Sequence, residues 1–250
     1  MIQRYERLKV NELNSAHPVA VITGASRGLG KSLAQYFLDK DYVVVGCSRG
    51  EGTIEHKNYQ HYKVDVGNEA AVRSWVRNVK NTHKKVDLLI CNAGLVRSAL
   101  LLSMTPSDEM ESIVRTNYIG VFYVLREISK VMALRGSGRI ITISSTMTLL
   151  HEEGTAVYSA TKAAVTETTK VLAKELAPRG ITCNVIAPAM MWTDSSEALS
   201  KGGDWQKRLL EKQVFPRLIE TEEICHIADF FASPKSSAIT GQVIYIGMVA

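Results

Sequence analysis

Short apolar, β-branched runs recur along the 250-residue chain at Val19–Thr23, Tyr42–Cys47, Gln60–Asp65, Val86–Cys91, Arg139–Ser144, Ile181–Ala187 and Val243–Ile246. Most lack strict polar alternation, the pattern of strands buried on both faces of a parallel sheet. Amphipathic stretches of helix length separate them. Thr105 is placed to cap a helix at its N-terminus, with Pro106 in the first turn and Asp108 completing a capping box. Asn68 is placed to cap a helix running through Lys80, and Thr221 one running through Ala232, which Pro234 follows. Strand, helix, strand, repeated without a linker, predicts an α/β fold. It is a single doubly wound domain over residues 18–250, with a mostly parallel sheet of about seven strands and helices on both faces. Residues 190–215 break the rhythm, holding Trp192, Gly202, Gly203 and Trp205 but no clear strand, and read as a substrate lid. Residues 1–17 read as a polar arm.

Composition narrows the class only modestly. The longest apolar runs, such as VAVIT and YVVVG, are too short to cross a bilayer, and residues 1–17 lack the apolar core of a signal peptide. A cytoplasmic protein that does not enter membranes is expected. The net charge of +5 is spread along the chain, as at Arg73, Arg77, Lys80, Lys84 and Lys85. With no nucleic-acid-binding pattern beside it, mild basicity suits an anionic cofactor better than nucleic acid. Cys47, Cys91, Cys183 and Cys225 are widely scattered, which suits buried thiols and predicts neither a disulfide framework nor a metal site.

Chemistry enters with the first strand, which runs into TGASRGLG and then a helix. Gly24, Gly28 and Gly30 permit a tight turn and let backbone N–H groups approach a pyrophosphate at the helix N-terminus. The second strand ends in Ser48 and Arg49, and Arg27 lies in the glycine turn. Two guanidiniums suit a 2′-phosphate. Glu51, slightly further on, is the rival ribose contact and would repel that phosphate. The balance favours NADP(H) over NAD(H). Asp65 is placed to accept from an adenine amino group with Val66 against the ring, or simply to cap a strand end. The CNAG run, residues 91 to 94, would let backbone lie close to a ligand.

Tyr158 and Lys162 stand four residues apart, on one helical face. Lowering a phenol from about 10 to about 7 takes roughly 4 kcal/mol, which one ammonium about 4 Å away supplies at an effective dielectric near 20. The spacing alone also fits many solvated helices.

Together these residues resemble the short-chain dehydrogenase/reductase family, over nearly the whole span from Val19 to Gly247. TGASRGLG matches its cofactor turn and CNAG its usual NNAG with one change. Asn117 in RTNYIGVF, Ser145 in GRIITISS, and Tyr158 with Lys162 match its catalytic tetrad in order and spacing. NVIAPAMMWTD matches the segment that closes over the nicotinamide, with Pro188–Ala189 where the family usually has Pro-Gly. The resemblance implies cofactor contacts at Gly24, Ser26, Arg27, Gly28, Leu29, Gly30, Ser48, Arg49, Asp65, Val66, Asn92, Ala93, Gly94, Tyr158, Lys162, Pro188, Ala189, Met191 and Thr193. It implies a Rossmann-fold NADP(H)-dependent carbonyl reductase or alcohol dehydrogenase, most like the 3-oxoacyl-(acyl carrier protein) reductases. Ser145 would orient a carbonyl, Tyr158 protonate it, Lys162 lower the tyrosine pKa, and Asn117 keep a proton-relaying water. Arg179 lies where that branch often presents a basic residue to the carrier, and Arg135 near a second such position. His151, Glu152 and Glu153 either contact a polar substrate or are solvated. The helices at Ser107–Leu134 and Ala156–Ala177 correspond to those that pair subunits, which implies a homotetramer or homodimer. An oxidoreductase for another ketone, sugar or secondary alcohol is the alternative, and a non-catalytic dinucleotide sensor a remote one.

Overall fold

The computed structural model describes residues 17–96, 100–191 and 204–249. All but the last residue of the expected arm, and the middle of the expected lid with Trp192 and Thr193, lie outside the described residues. The elements run β1 (Val19–Thr23), α1 (Gly28–Asp39), β2 (Val43–Ser48), β3 (Tyr59–Lys63), α2 (Glu69–His83), β4 (Leu88–Cys91) and α3 (Ser107–Val114). They continue with α4 (Val121–Arg135), β5 (Gly138–Ile143), α5 (Ala156–Leu176), β6 (Ile181–Pro188), α6 (Asp204–Glu211), α7 (Thr221–Ala232) and β7 (Val243–Ile246).

The seven strands form one parallel sheet in the order β3-β2-β1-β4-β5-β6-β7. Strand periodicity divides the apolar residues between its faces. Val19, Val21, Leu89 and Cys91 join one core under α2, α4 and α5, while Ala20, Ile22, Leu88 and Ile90 join another under α1 and α7. Both faces are therefore dry, which is why the strands read as unbroken apolar runs. From β1 the chain builds outward in both directions, so a crevice opens beyond the carboxyl ends of β1 and β4.

Several local expectations change. Thr105 does not cap α3: its hydroxyl donates to Leu101 O, closing the preceding turn, and Pro106 occupies the capping position without a side-chain bond. Thr221 is the first residue of α7 rather than its cap. Glu220 accepts from the Glu223 backbone, and the Glu223 carboxylate accepts from the Glu220 N–H. Arg217 grips Glu223 with two bonds of 2.7 Å and completes that cap. The expected continuous helix from Ser107 is interrupted by a wider π turn at Arg115–Gly120, an irregularity frequent at functional sites. Asn68 does cap α2, accepting from Ala71 N at 3.0 Å. That helix runs three residues past Lys80 to His83. β3 stops before Asp65, whose carboxylate instead turns back to accept from Gly67 N at 2.9 Å.

Candidate active site

A cavity of about 510 Å³ runs along the carboxyl ends of the strands, from the glycine turn to the N-terminal turns of α5. At the first end, Gly24 and Gly28 adopt positive φ (71° and 51°), a conformation that costs glycine nothing. A Cβ on Gly30 would lie only 2.1 Å from Gly24 O, so α1 can close against the turn only because that position is bare. The turn is tied across to β4. Asn92 Nδ2 donates to Thr23 O at 3.0 Å and to Gly24 O at 3.3 Å, and Thr23 Oγ1 accepts from both Asn92 N and Ala93 N at 3.0 Å. These bonds tie the ends of β1 and β4 together beside a backbone-lined cradle with room for a dinucleotide.

Every expected cofactor residue that the structure describes lines this cavity: Gly24 through Gly30 except Ala25, then Ser48, Arg49, Asp65, Val66, Asn92 through Gly94, Tyr158, Lys162, Pro188, Ala189 and Met191. Thr193 lies outside the described residues. Glu51, the rival ribose contact, is drawn off by Lys63 at 3.0 Å, which also holds its carboxyl below the ordinary range. Its repulsion of an anion near Arg49 is thereby offset.

At the other end, Ser145 follows β5, and its main chain neighbours are pinned to β6 and beyond: Ser144 N donates to Ile186 O and Thr146 N to Pro188 O. Its hydroxyl accepts from Met147 N at 3.2 Å. Lys162 is buried on α5, its Nζ 5.7 Å from the centre of the Tyr158 ring and donating to Ile143 O at 2.8 Å. Asn117 sits in the π turn, fully buried behind the cavity rather than on its wall. Its Oδ1 accepts from Leu95 N at 2.7 Å and its Nδ2 donates to Leu95 O at 2.9 Å, so it clasps the loop after CNAG at two points. A methyl group on Gly94 would lie 3.5 Å from Lys162 Nζ and 3.6 Å from Asn117 Oδ1, so these two polar atoms converge on one spot.

The electrostatics depart from the sequence reading. Burial pushes the Tyr158 phenol up, only partly opposed by the Ser145 hydroxyl, and brings Lys162 down to about 8. The simple ammonium–phenol estimate assumed a closer approach and a solvated pair. Here both groups lose water and Lys162 spends a proton on Ile143 O. Tyr158 is thus a neutral hydroxyl, ready to donate.

Leu95, Thr116 and Ile143 line the wall without a sequence signal, and Met147, Gly154 and Met190 join them from the segments MTLLHEEG and MMWTD, which read as substrate loops. Gln213, inside the expected lid segment, had no role of its own. Nearly buried, it accepts from Met190 N at 3.0 Å and donates to Phe215 O at 3.0 Å and Arg217 O at 2.6 Å, fixing the segment that follows β6. Of the three polar candidates after Ser145, His151 and Glu153 are exposed, while the Glu152 side chain is 8% exposed and forms an ion pair with Lys212.

Known proteins share this architecture. The family model described as enoyl-(acyl carrier protein) reductase matches residues 24–248. The 3-oxoacyl-[acyl-carrier-protein] reductase of Salmonella typhimurium is 34% identical over 234 residues, covering 91% of this chain and 95% of its own. The reductase of the same name from Escherichia coli is 32% identical over 240 residues, covering 94% and 97%. Among solved structures, ElxO with NADP bound superposes with a TM-score of 0.86 at 28% identity, covering 92% of this chain and 97% of that one. A variant of actinorhodin polyketide ketoreductase with NADPH gives 0.84 at 26%, covering 92% and 96%. The chain belongs to the short-chain dehydrogenase/reductase family of NAD(P)-dependent oxidoreductases.

Proposed function

We propose that this enzyme reduces the ketone of a 3-oxoacyl thioester to the 3-hydroxyacyl form, using NADPH. One observation carries the reading. A single cavity joins the Arg27–Ser48–Arg49 end to Ser145, Tyr158 and Lys162, so an anionic dinucleotide and a carbonyl can share it. When bound, the reduced nicotinamide supplies the hydride. Ser145 Oγ hydrogen-bonds the carbonyl oxygen and orients it. Tyr158 donates its proton to the oxygen as negative charge develops there, and its raised pKa keeps that proton in place until then. Lys162 holds its ammonium over the Tyr158 ring, 5.7 Å from its centre, and Asn117 holds the Leu95 loop and the π turn in register behind it.

The carrier-bound form of the substrate is supported by the named activity of the bacterial relatives. It is also supported by two exposed arginines. Arg135 and Arg179 end adjacent turns, for a Cβ on Gly180 would lie 2.7 Å from Gly136 O. Exposed Phe122 on α4 and Val171 on α5 support self-association through these helices as a homodimer or homotetramer in the cytoplasm. The segment around residues 190–215 acts as the lid.

The test is a panel followed by NADPH and NADH absorbance. Acetoacetyl thioester, carrier-bound or on coenzyme A, should be reduced with NADPH far faster than free small ketones. Efficient turnover of a simple ketone or sugar with no thioester activity would move the substrate assignment to that class.

A further inference from the structure

The far end of the cavity is backed by a polar cluster that hydride transfer does not use. Ser48, Arg49 and Gly50 line the cavity, and His61 on β3 stands behind them without lining it. The Ser48 hydroxyl donates to Gly50 O at 2.9 Å. His61 Nε2 lies 2.9 Å from Ser48 Oγ and 3.3 Å from Gly50 O, while Nδ1 lies 2.7 Å from the Tyr59 hydroxyl. A carbonyl oxygen can only accept, so Nε2 carries the hydrogen and Nδ1 accepts from Tyr59. Burial is consistent with that assignment: it pushes His61 below its ordinary value, and Tyr59 up to about 12, so the ring stays neutral and the phenol protonated. Fit is tight as well, because a Cβ on Gly52 would lie 2.8 Å from His61 Cβ.

This arrangement frees a donor. The Ser48 hydroxyl has one hydrogen, and while Gly50 O holds it, Ser48 cannot donate into the cavity. His61 Nε2–H is already within reach of Gly50 O and can take over that acceptor. Ser48 then turns its hydrogen toward an anion without leaving the carbonyl unpaired. We propose that His61 is a positioning residue for recognition of a ribose 2′-phosphate, covering Gly50 O so that the Ser48 hydroxyl joins Arg27 and Arg49 on the phosphate. This rests on the NADP(H) reading above and assigns a residue to its selectivity.

The experiment measures equilibrium binding of NADPH, NADH, and adenosine 2′,5′-bisphosphate against adenosine 5′-diphosphate, by calorimetry. His61→Leu should weaken NADPH and the bisphosphate by roughly tenfold, the loss of one charge-assisted hydrogen bond, and NADH by less than about twofold. His61→Gln, which keeps a donor on a side chain of similar reach, should restore most of the loss. Ser48→Ala should match His61→Leu, and the double variant should lose little more, since both act on one bond. An unchanged NADPH/NADH ratio in folded His61→Leu, equal weakening of both cofactors, or additive losses would each overturn the role of His61. A wild-type protein with no preference for NADPH would overturn the cofactor reading itself.

Discussion

The two walls of the cleft are built in different currencies of structure. The cofactor wall closes on main chain: the Asn92 and Thr23 side chains bind backbone atoms across the ends of β4 and β1, and Gly30 packs α1 on the turn with no side chain between. The opposite wall, Pro188 to Met191, where the expected nicotinamide contacts meet the substrate side, leans on side chains reaching in from elsewhere. Gln213 holds Met190 N, Ile219 N donates to Met190 O, and Lys212 pairs with Glu152 beside the catalytic loop. Backbone cradles tolerate little substitution, because any added atom meets main chain that cannot move. Side-chain ties can be exchanged one at a time, so this fold keeps its cofactor and varies its substrate.

The contrast can be broken from the chemistry outward. Tyr158→Phe should cut turnover by roughly a thousandfold or more, the scale of a lost general acid, while NADPH affinity stays within about twofold. Stopped-flow hydride transfer and a fluorescence titration would show it. Retained turnover would remove Tyr158 from the proton path. Gly30→Ala attacks the cofactor wall. Its Cβ, placed 2.1 Å from Gly24 O, should cost about 3 kcal/mol in urea unfolding and abolish tight NADPH binding.

On the opposite wall, Gln213→Ala should raise the KM for the acyl substrate by about tenfold and weaken NADPH by only about twofold, as Met190 N and two carbonyls lose their partner while the glycine turn and Arg49 end stay intact. Equal effects on both ligands would collapse the distinction between the walls. The smallest effect is a pH limb shared by both. Lys162 loses its proton as pH rises through about 8, whereas Tyr158 remains protonated there, so reductive kcat/KM should fall above that pH. A profile flat well past that point would exclude Lys162 from the titrating machinery.

Much of this was legible from residues alone, where the signal was local. Asn68 capped its helix, β1 and β7 fell at their expected bounds, and the glycine turn met the helix it needed. What misled were local rules with tertiary competitors. Thr105 has the right neighbours for a cap, yet its hydroxyl is taken by Leu101 O, and Glu220 displaces Thr221 because Arg217 reinforces its box. Gln213 fell inside the expected lid segment but had no role of its own. A glutamine between Lys212 and Val214 looks like a surface residue until the fold brings Met190, Phe215 and Arg217 to it.

The sequence by itself determined the doubly wound alternation and the glycine turn, since each depends on spacing within an element or on unbroken apolar runs, whereas Ser145, Tyr158 and Lys162 were picked out through the family resemblance. Only the tertiary structure decided the protonation of that constellation and the anchoring of its walls. Burial sets whether a phenol or an ammonium keeps its proton, and burial is a property of what packs around a residue. It pushed Tyr158 up and Lys162 down where spacing alone predicted the reverse for the phenol, and it placed His61 behind Ser48 across two strands that no local pattern connects.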